Sequence, residues 1–270
     1  MDKYLTDFKY SFKGLNPELP YPAPEEAPIT LAQLASHMSG MGRDWPPGTA
    51  SGWPWDTAGG GPPPINGRPF PSLSTVLDDL PNHPFVALPW SFPAYSNTGI
   101  GILGMALAAA EAAASGRPTP LTHSELLARD IFGPMGLNGS HFLATDANRD
   151  RLVVSSIEPE VVVRFQLWRP VTRVLNRAVC QDMDFLNPMN PSGGQFASLS
   201  DFMTLAQTLL NARHPRSQLS NHYLRKWLRP MYAFEDDLSE VGLIWEIVKA
   251  SDTHGRVQRI YRKSEFFVHY

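Results

Sequence analysis

A stretch of proline and glycine from Arg43 to Pro71 divides this chain more sharply than any other feature. It contains Trp45-Pro46-Pro47-Gly48, Trp53-Pro54-Trp55, Gly59-Gly60-Gly61 and Pro62-Pro63-Pro64. Proline removes a backbone donor and fixes φ, while glycine loses more entropy on ordering than any other residue, so no regular element can run through it. A loop of this length in a compact domain is usually functional or mobile. Trp45, Trp53 and Trp55 are candidates to wall an apolar substrate pocket; the competing reading has them pinning the loop to the core. Whatever the chain folds into must be assembled from segments on either side.

Those segments carry clear helix signals. Thr30 with Gln33 forms a capping box opening Leu31–Met38, with Gly40 as the stop. Thr98–Ala114 is a run of small apolar residues ended by Gly116. Thr122 with Glu125 caps Ser124–Phe132, which Gly133-Pro134 is expected to end. Ser198 caps Leu199–Leu210, and Ser220 opens a helix to Leu228 before Pro230. Strand signals come mostly late: Glu160–Phe165 is β-branched, and Val241–Lys249 and Val257–Phe267 flank Ser251-Asp252-Thr253-His254-Gly255 as a hairpin. Helices in the middle and strands at the end predict an α+β fold, with a mostly helical region over 1–240 and a β-hairpin over 241–270. No internal repeat is present.

Composition excludes several function classes. Hydrophobic residues make up 43% and charged residues 18%, with a net charge of −3, so no basic footprint points to nucleic acid or an anionic membrane. The single cysteine, Cys180, cannot form an internal disulfide. Met1-Asp2-Lys3-Tyr4 opens no apolar targeting segment, and Ile100–Ala114 contains Glu111 and reads as a core helix rather than a membrane span. A cytoplasmic location is the default expectation. The histidines show no metal-ligand spacing, so no metal and no cofactor is expected. Gly99-x-Gly101-x-x-Gly104 has the dinucleotide-binding spacing, but it follows the proline-broken segment Pro89–Pro93 rather than a strand, which makes close helix packing its better explanation.

Tyr95-Ser96-Asn97 stands directly before the small-residue helix. A tyrosine beside cationic groups can act as a general base, because positive charge favours the phenolate. An asparagine two residues on can set its amide against a substrate carbonyl. Alone, the triplet is a weak signal; a tyrosine hydroxyl tying down a loop before a helix is then its better explanation.

Five collinear segments give it a context. Ile29-Thr30-Leu31 through Ser36-His37-Met38-Ser39-Gly40-Met41, Tyr95-Ser96-Asn97-Thr98-Gly99, Ile131-Phe132-Gly133-Pro134-Met135-Gly136-Leu137, Ser192-Gly193-Gly194-Gln195-Phe196-Ala197-Ser198 and Gly242-Leu243-Ile244-Trp245 resemble, in order, segments of serine β-lactamase-like and penicillin-binding-protein-like enzymes. The proline-rich character is most similar to filamentous-fungal members of the class C β-lactamase/esterase branch.

That resemblance implies a helical domain beside an antiparallel sheet, incomplete here, with the site between them. It implies acyl transfer in which a serine attacks an ester, amide or lactam carbonyl. Tyr95 and Asn97 match the tyrosine motif, and Lys263-Ser264 falls where a Lys-Thr/Ser-Gly motif is expected, with Glu265 replacing its glycine. His37 and Ser39 are motif positions expected to cap and brace a helix end.

The nucleophile motif Ser-x-x-Lys is missing: no serine in the 270 residues has a lysine three places on. In the family that motif precedes the segment resembling Lys3–Phe8, and further strands follow the region of His269-Tyr270, so the chain is expected to be truncated at both ends. The implied partner is a small-molecule ester or amide, with a secondary metabolite one candidate and a β-lactam the weaker one. Three readings stand open: a β-lactamase-like hydrolase or acyltransferase inactive as this chain, a non-catalytic binding protein, and a fragment of a longer active hydrolase. Oligomeric state is not legible.

Overall fold

The computed structural model describes residues 1, 3–12, 15, 22, 25–43, 73–83, 85–142 and 186–263. The loop tryptophans Trp45, Trp53 and Trp55, the strand expected over Glu160–Phe165, Cys180 and Ser264 lie outside the described residues. The described part is α+β.

Helix α1 (Leu31–Ala35) starts on the capping box read from the sequence: Thr30 N–H donates to Gln33 Oε1 at 2.6 Å and Gln33 N–H returns to Thr30 Oγ1 at 3.3 Å. It ends earlier than Gly40. Met38 N–H donates to Gln33 O at 2.8 Å and His37 N–H to Leu34 O at 3.3 Å, a Schellman closure with His37 in the left-handed position at φ 57°. Helix α2 (Leu73–Asp79) runs into a 3₁₀ turn at Leu80–Asn82.

Helix α3 (Asn97–Ser115) is capped by Ser96, whose Oγ accepts from Gly99 N–H at 2.9 Å, and closed by Gly116 at φ 64°. By length and composition α3 could cross a membrane, yet half of its apolar window is buried inside the fold. Its glycines serve packing. A Cβ on Gly104 would lie 2.2 Å from Pro191 Cγ, which lets helix α6 (Leu186–Gly193) press against α3.

Helix α4 (His123–Leu127) begins on the Thr122–Glu125 capping box. The stop expected at Gly133-Pro134 is displaced. Residues Ala128–Phe132 widen into a π turn, α5 (Gly133–Met135) carries Pro134 near its start, where a missing N–H costs nothing, and Gly136 at φ 66° ends the segment. Helices α7 (Leu199–Leu210) and α8 (Asn221–Trp227) start on Ser198 and Ser220.

The sheet is antiparallel, in the order β1 (Pro230–Ala233), β2 (Ser239–Gly242), β3 (Glu246–Ser251), β4 (Val257–Arg262). The expected hairpin is β3–β4, registered from Glu246 opposite Arg262 to Ser251 opposite Val257. The stretch expected as one strand from Val241 to Lys249 is divided, because Gly242 N–H turns to Trp245 O at 2.8 Å and Ile244 takes φ 64°.

The core lies under the N-terminal segment and α3: Leu5, Phe8, Phe12, Ile29, Leu34, Met41, Leu80, Phe85 and Ile102 are buried together. Phe12 meets Phe85 edge-on at 5.0 Å. Tyr10 ties this cluster to α1, its hydroxyl donating to Ala27 O at 3.1 Å and accepting from Ile29 N–H at 3.2 Å. The core therefore fixes α1 against α3, and the space between α1's end and α3's start is where the site forms.

Candidate functional site

Tyr95 sits in the turn that enters α3, and its neighbours come from three parts of the chain. From the end of the sheet, Lys263 Nζ donates to the Tyr95 hydroxyl oxygen at 3.1 Å and lies 4.4 Å from the ring centroid. From the loop after α1, the Arg43 guanidinium lies 5.3 Å from the same ring. From the end of α1, the His37 imidazole stacks on the ring at 4.6 Å, tilted by 32°. Two cations and a flat aromatic surface thus converge on one phenol.

The backbone around Tyr95 is held as firmly as its ring. Ser96 Oγ donates to Gly42 O at 2.8 Å, and Asn97 and Thr98 N–H groups donate to Arg43 O at 2.7 and 3.1 Å. The Arg43 carbonyl therefore meets donors that the first turn of α3 would otherwise leave bare. From the far side, Ser192 Oγ donates to Asn97 O at 2.6 Å, joining α6 to the start of α3.

His37 is buried, with its Nδ1 accepting from Ser96 N–H at 3.1 Å. That bond requires an unprotonated Nδ1, which places the neutral ring's proton on Nε2. Burial, and secondarily the Lys263 charge, push the His37 pKa down to about 4 against an opposing pull from Glu246. The ring is neutral over the physiological range.

Between these residues and the sheet lies an open cleft of about 300 Å³. Tyr95, Pro93 and His37 form one wall; Val241, Ile244, Trp245, Ile247 and Val248 form an apolar opposite wall, with Lys263, Glu246 and Arg262 at its margin. The charges at the margin are largely matched. Glu246 pairs with Arg262 at 3.2 Å, and buried Glu240 receives Arg259 through two bonds of 2.6 and 3.1 Å, which hold its carboxyl below the usual range. An apolar small molecule with one polar group facing the Tyr95–Lys263 pair would match this lining. Among the described residues no cluster of three or more histidine, cysteine, aspartate or glutamate side chains could hold a metal ion.

Of the residues singled out in the sequence, Tyr95 and Lys263 are in contact and Asn97 opens α3 beside them. Trp45, Trp53, Trp55 and Ser264 fall outside the described residues. Sequence reasoning did not single out Arg43 or Glu246, and it met Trp245 and Ser192 only within the resembling segments, not as neighbours of the cleft or of Asn97. Arg43 and Glu246 carry no local pattern, since what places them is contact with distant segments. His37 is in the sequence a motif position expected to brace the helix end; the structure shows it ending α1 itself and stacking on Tyr95.

The family model described as Beta-lactamase matches residues 2–264. Beta-lactamase-like protein str6 of Strobilurus tenacellus is 41% identical over 140 residues, covering 52% of this chain and 40% of that protein. Beta-lactamase-like protein str5 of the same organism is 41% identical over 113 residues, covering 42% of this chain and 40% of that protein. The matches thus span two fifths of the length of these curated relatives. Among solved structures, a beta-lactamase/D-alanine carboxypeptidase from Yersinia pestis aligns over 94% of this chain and 61% of its own, with TM-score 0.57 and 20% identity. A class C beta-lactamase aligns over 97% and 57%, with TM-score 0.57 and 12% identity. These two structures share the fold.

Proposed function

This chain belongs to the beta-lactamase family, and on that premise we propose that its cleft is the proton-handling half of a serine acyl-transfer site for a small ester or amide. The observation that carries the reading is the Lys263–Tyr95 hydrogen bond of 3.1 Å, made across 168 residues of sequence. An ammonium hydrogen-bonded to a phenol oxygen sets that oxygen in place for proton exchange, so the pair is suited by its geometry to take a proton from an attacking hydroxyl and return it to a leaving group. Asn97, two residues on, is assigned to the substrate carbonyl. The apolar wall of Val241, Ile247 and Val248 favours a hydrophobic acyl or alcohol group, of the kind found in secondary metabolites, over a highly charged substrate.

The chain contains no Ser-x-x-Lys, so it forms no acyl-enzyme by itself. Losing the serine of such a site removes on the order of 10³ to 10⁶ in rate. That favours a second reading, a non-catalytic protein that keeps the cleft for binding. The test is to expose the full chain to a fluorophosphonate probe and a fluorescent penicillin. We expect no covalent label from either; label abolished by one serine substitution would reveal a nucleophile in this chain and overturn the non-catalytic reading. Sequencing the transcript for an in-frame Ser-x-x-Lys upstream of Met1 separates the readings: its presence sinks the non-catalytic one and restores an ordinary hydrolase.

A further inference from the structure

We infer that His37 is a positioning residue for Tyr95, kept in a strained helix-ending conformation because its imidazole and carbonyl together hold the Ala94-Tyr95-Ser96 segment and aim the phenol at Lys263. The inference rests on the reading of Tyr95 as a proton-handling residue.

Helix α1 closes with His37 at φ 57°, a left-handed conformation that glycine adopts freely and a side chain with a Cβ does not. If the position served only to end the helix, glycine would do so without strain. Histidine does three things there that glycine cannot do together. Its carbonyl accepts from Ala94 N–H at 2.8 Å, its ring stacks on Tyr95 at 4.6 Å, and its Nδ1 accepts from Ser96 N–H at 3.1 Å. Three consecutive residues are gripped by one, across a sequence separation of 57 to 59 positions. The remaining ring nitrogen, Nε2, is buried and meets no hydrogen-bond partner among the described residues. The ring's place is therefore set by the Tyr95 stack and the Ser96 amide, not by a bond at Nε2.

The arrangement needs a neutral imidazole. A proton at Nδ1 would turn an acceptor into a donor aimed at the Ser96 N–H. The charged and titratable groups around the ring are Lys263 at the end of β4, Glu246 on β3, and Tyr95 with Arg43 beyond it. Burial and Lys263 keep the proton off, against Glu246. Lys263 thus serves Tyr95 twice, once through its hydrogen bond and once by holding His37 in the state that orients the ring.

The test labels tyrosine with ¹³C at the ζ carbon in the full chain and assigns Tyr95 through Tyr95→Phe. In His37→Gly, which suits the left-handed backbone, the Tyr95 signal is expected to shift and broaden, and the nuclear Overhauser contact between the Tyr95 ring and the Lys263 side chain to be lost. Free imidazole, entering the space the ring vacates, is expected to restore both with saturation. Loss of the imidazole's ring current moves the Tyr95 signal under either role, but a merely helix-ending role leaves the Tyr95–Lys263 contact in place, so a folded His37→Gly chain that keeps that contact overturns the inference. The native chain offers a readout that needs no variant: the Tyr95 signal is expected to move with the ¹⁵N titration of His37, whose midpoint falls near 4. A Tyr95 signal indifferent to that step refutes the inference equally. Neither measurement uses catalysis. Failure of the acyl-transfer reading would leave both intact, and failure here would leave the probe results unchanged.

Discussion

Replacing Gly104 with alanine tests whether the site depends on how closely α6 approaches α3. A methyl group there would stand 2.2 Å from Pro191 Cγ and 2.6 Å from Pro191 Cβ. Carbon atoms settle at about 3.5–4.0 Å, so α6 must retreat by roughly 1.5 Å, and neither partner is the loose end of a flexible side chain. Overpacking of this kind costs about 1–3 kcal/mol. The retreat also strains the 2.6 Å bond from Ser192 Oγ to Asn97 O, worth about 1 kcal/mol. Against these stands a helix-propensity gain of about 1 kcal/mol on exchanging an interior glycine for alanine. The net expectation is a loss of about 1–3 kcal/mol, which for a chain of this size lowers Tm by about 2–4 °C per kcal/mol. Thermal and urea unfolding would be compared with Gly193→Ala, where no atom lies within 4 Å and stability should hold or rise. If Gly104→Ala proves as stable as Gly193→Ala, α6 does not rest on the glycine and the packing argument is wrong.

Further outcomes follow from the same geometry. The His37 pKa is lowered from 6.5 to about 4, so the folded state binds fewer protons than the unfolded state between those values. Its contribution is complete above pH 6.5 and is lost as pH falls toward 4, about 3 kcal/mol in all, read as the pH-dependent difference in urea stability between the native chain and His37→Asn. A flat difference across that window would refute it. Asp201→Ala should cost about 1–3 kcal/mol, because Asp201 Oδ2 accepts from both Gly139 N–H and Ser140 Oγ at 2.8 Å in a buried place. Amide exchange at Gly139 should accelerate in that variant, and unchanged protection would contradict the assignment. Glu240→Gln should lower stability by about 1–2 kcal/mol, since one buried carboxylate answers Arg259 twice while half of Arg259's surface stays in water. An unaltered denaturation midpoint would show the pair to be energetically idle.

The elements legible in the sequence are those whose signals are local. Thr30 with Gln33, Thr122 with Glu125, and Ser198 all cap helices where their spacing said they would, because a capping side chain answers an amide two or three residues away. Helix α6 was not legible. It holds Pro191 inside, which argues against a helix by propensity, and its place is decided by contact with Gly104 some ninety residues earlier. Strand β1 begins on Pro230 and depends on β2 for its bonds, so nothing within it announces a strand. The candidate site divides in the same way. Tyr95 and Lys263 were paired only through a resemblance, because no periodicity links residues 168 positions apart. The contributions of Arg43, Trp245 and Glu246 emerge only once the chain has closed.

Two of the four non-glycine residues with positive φ among the described residues lie at the seam between α1 and the sheet. Besides His37, Ile244 also takes a left-handed backbone at φ 64°, which a β-branched residue tolerates poorly. Its N–H donates to Ala35 O at 2.6 Å, so His37 and Ile244 both meet the end of α1. One directs that turn toward Tyr95; the other fastens it to the strand pair that ends in Lys263. Such conformations persist only where surrounding contacts over-determine them, and both line the same cleft. The phenol and the ammonium are therefore placed by contacts among described residues, with no serine–lysine motif taking part. Contacts among residues far apart in sequence thus suffice to bring the Tyr95 hydroxyl and the Lys263 ammonium together.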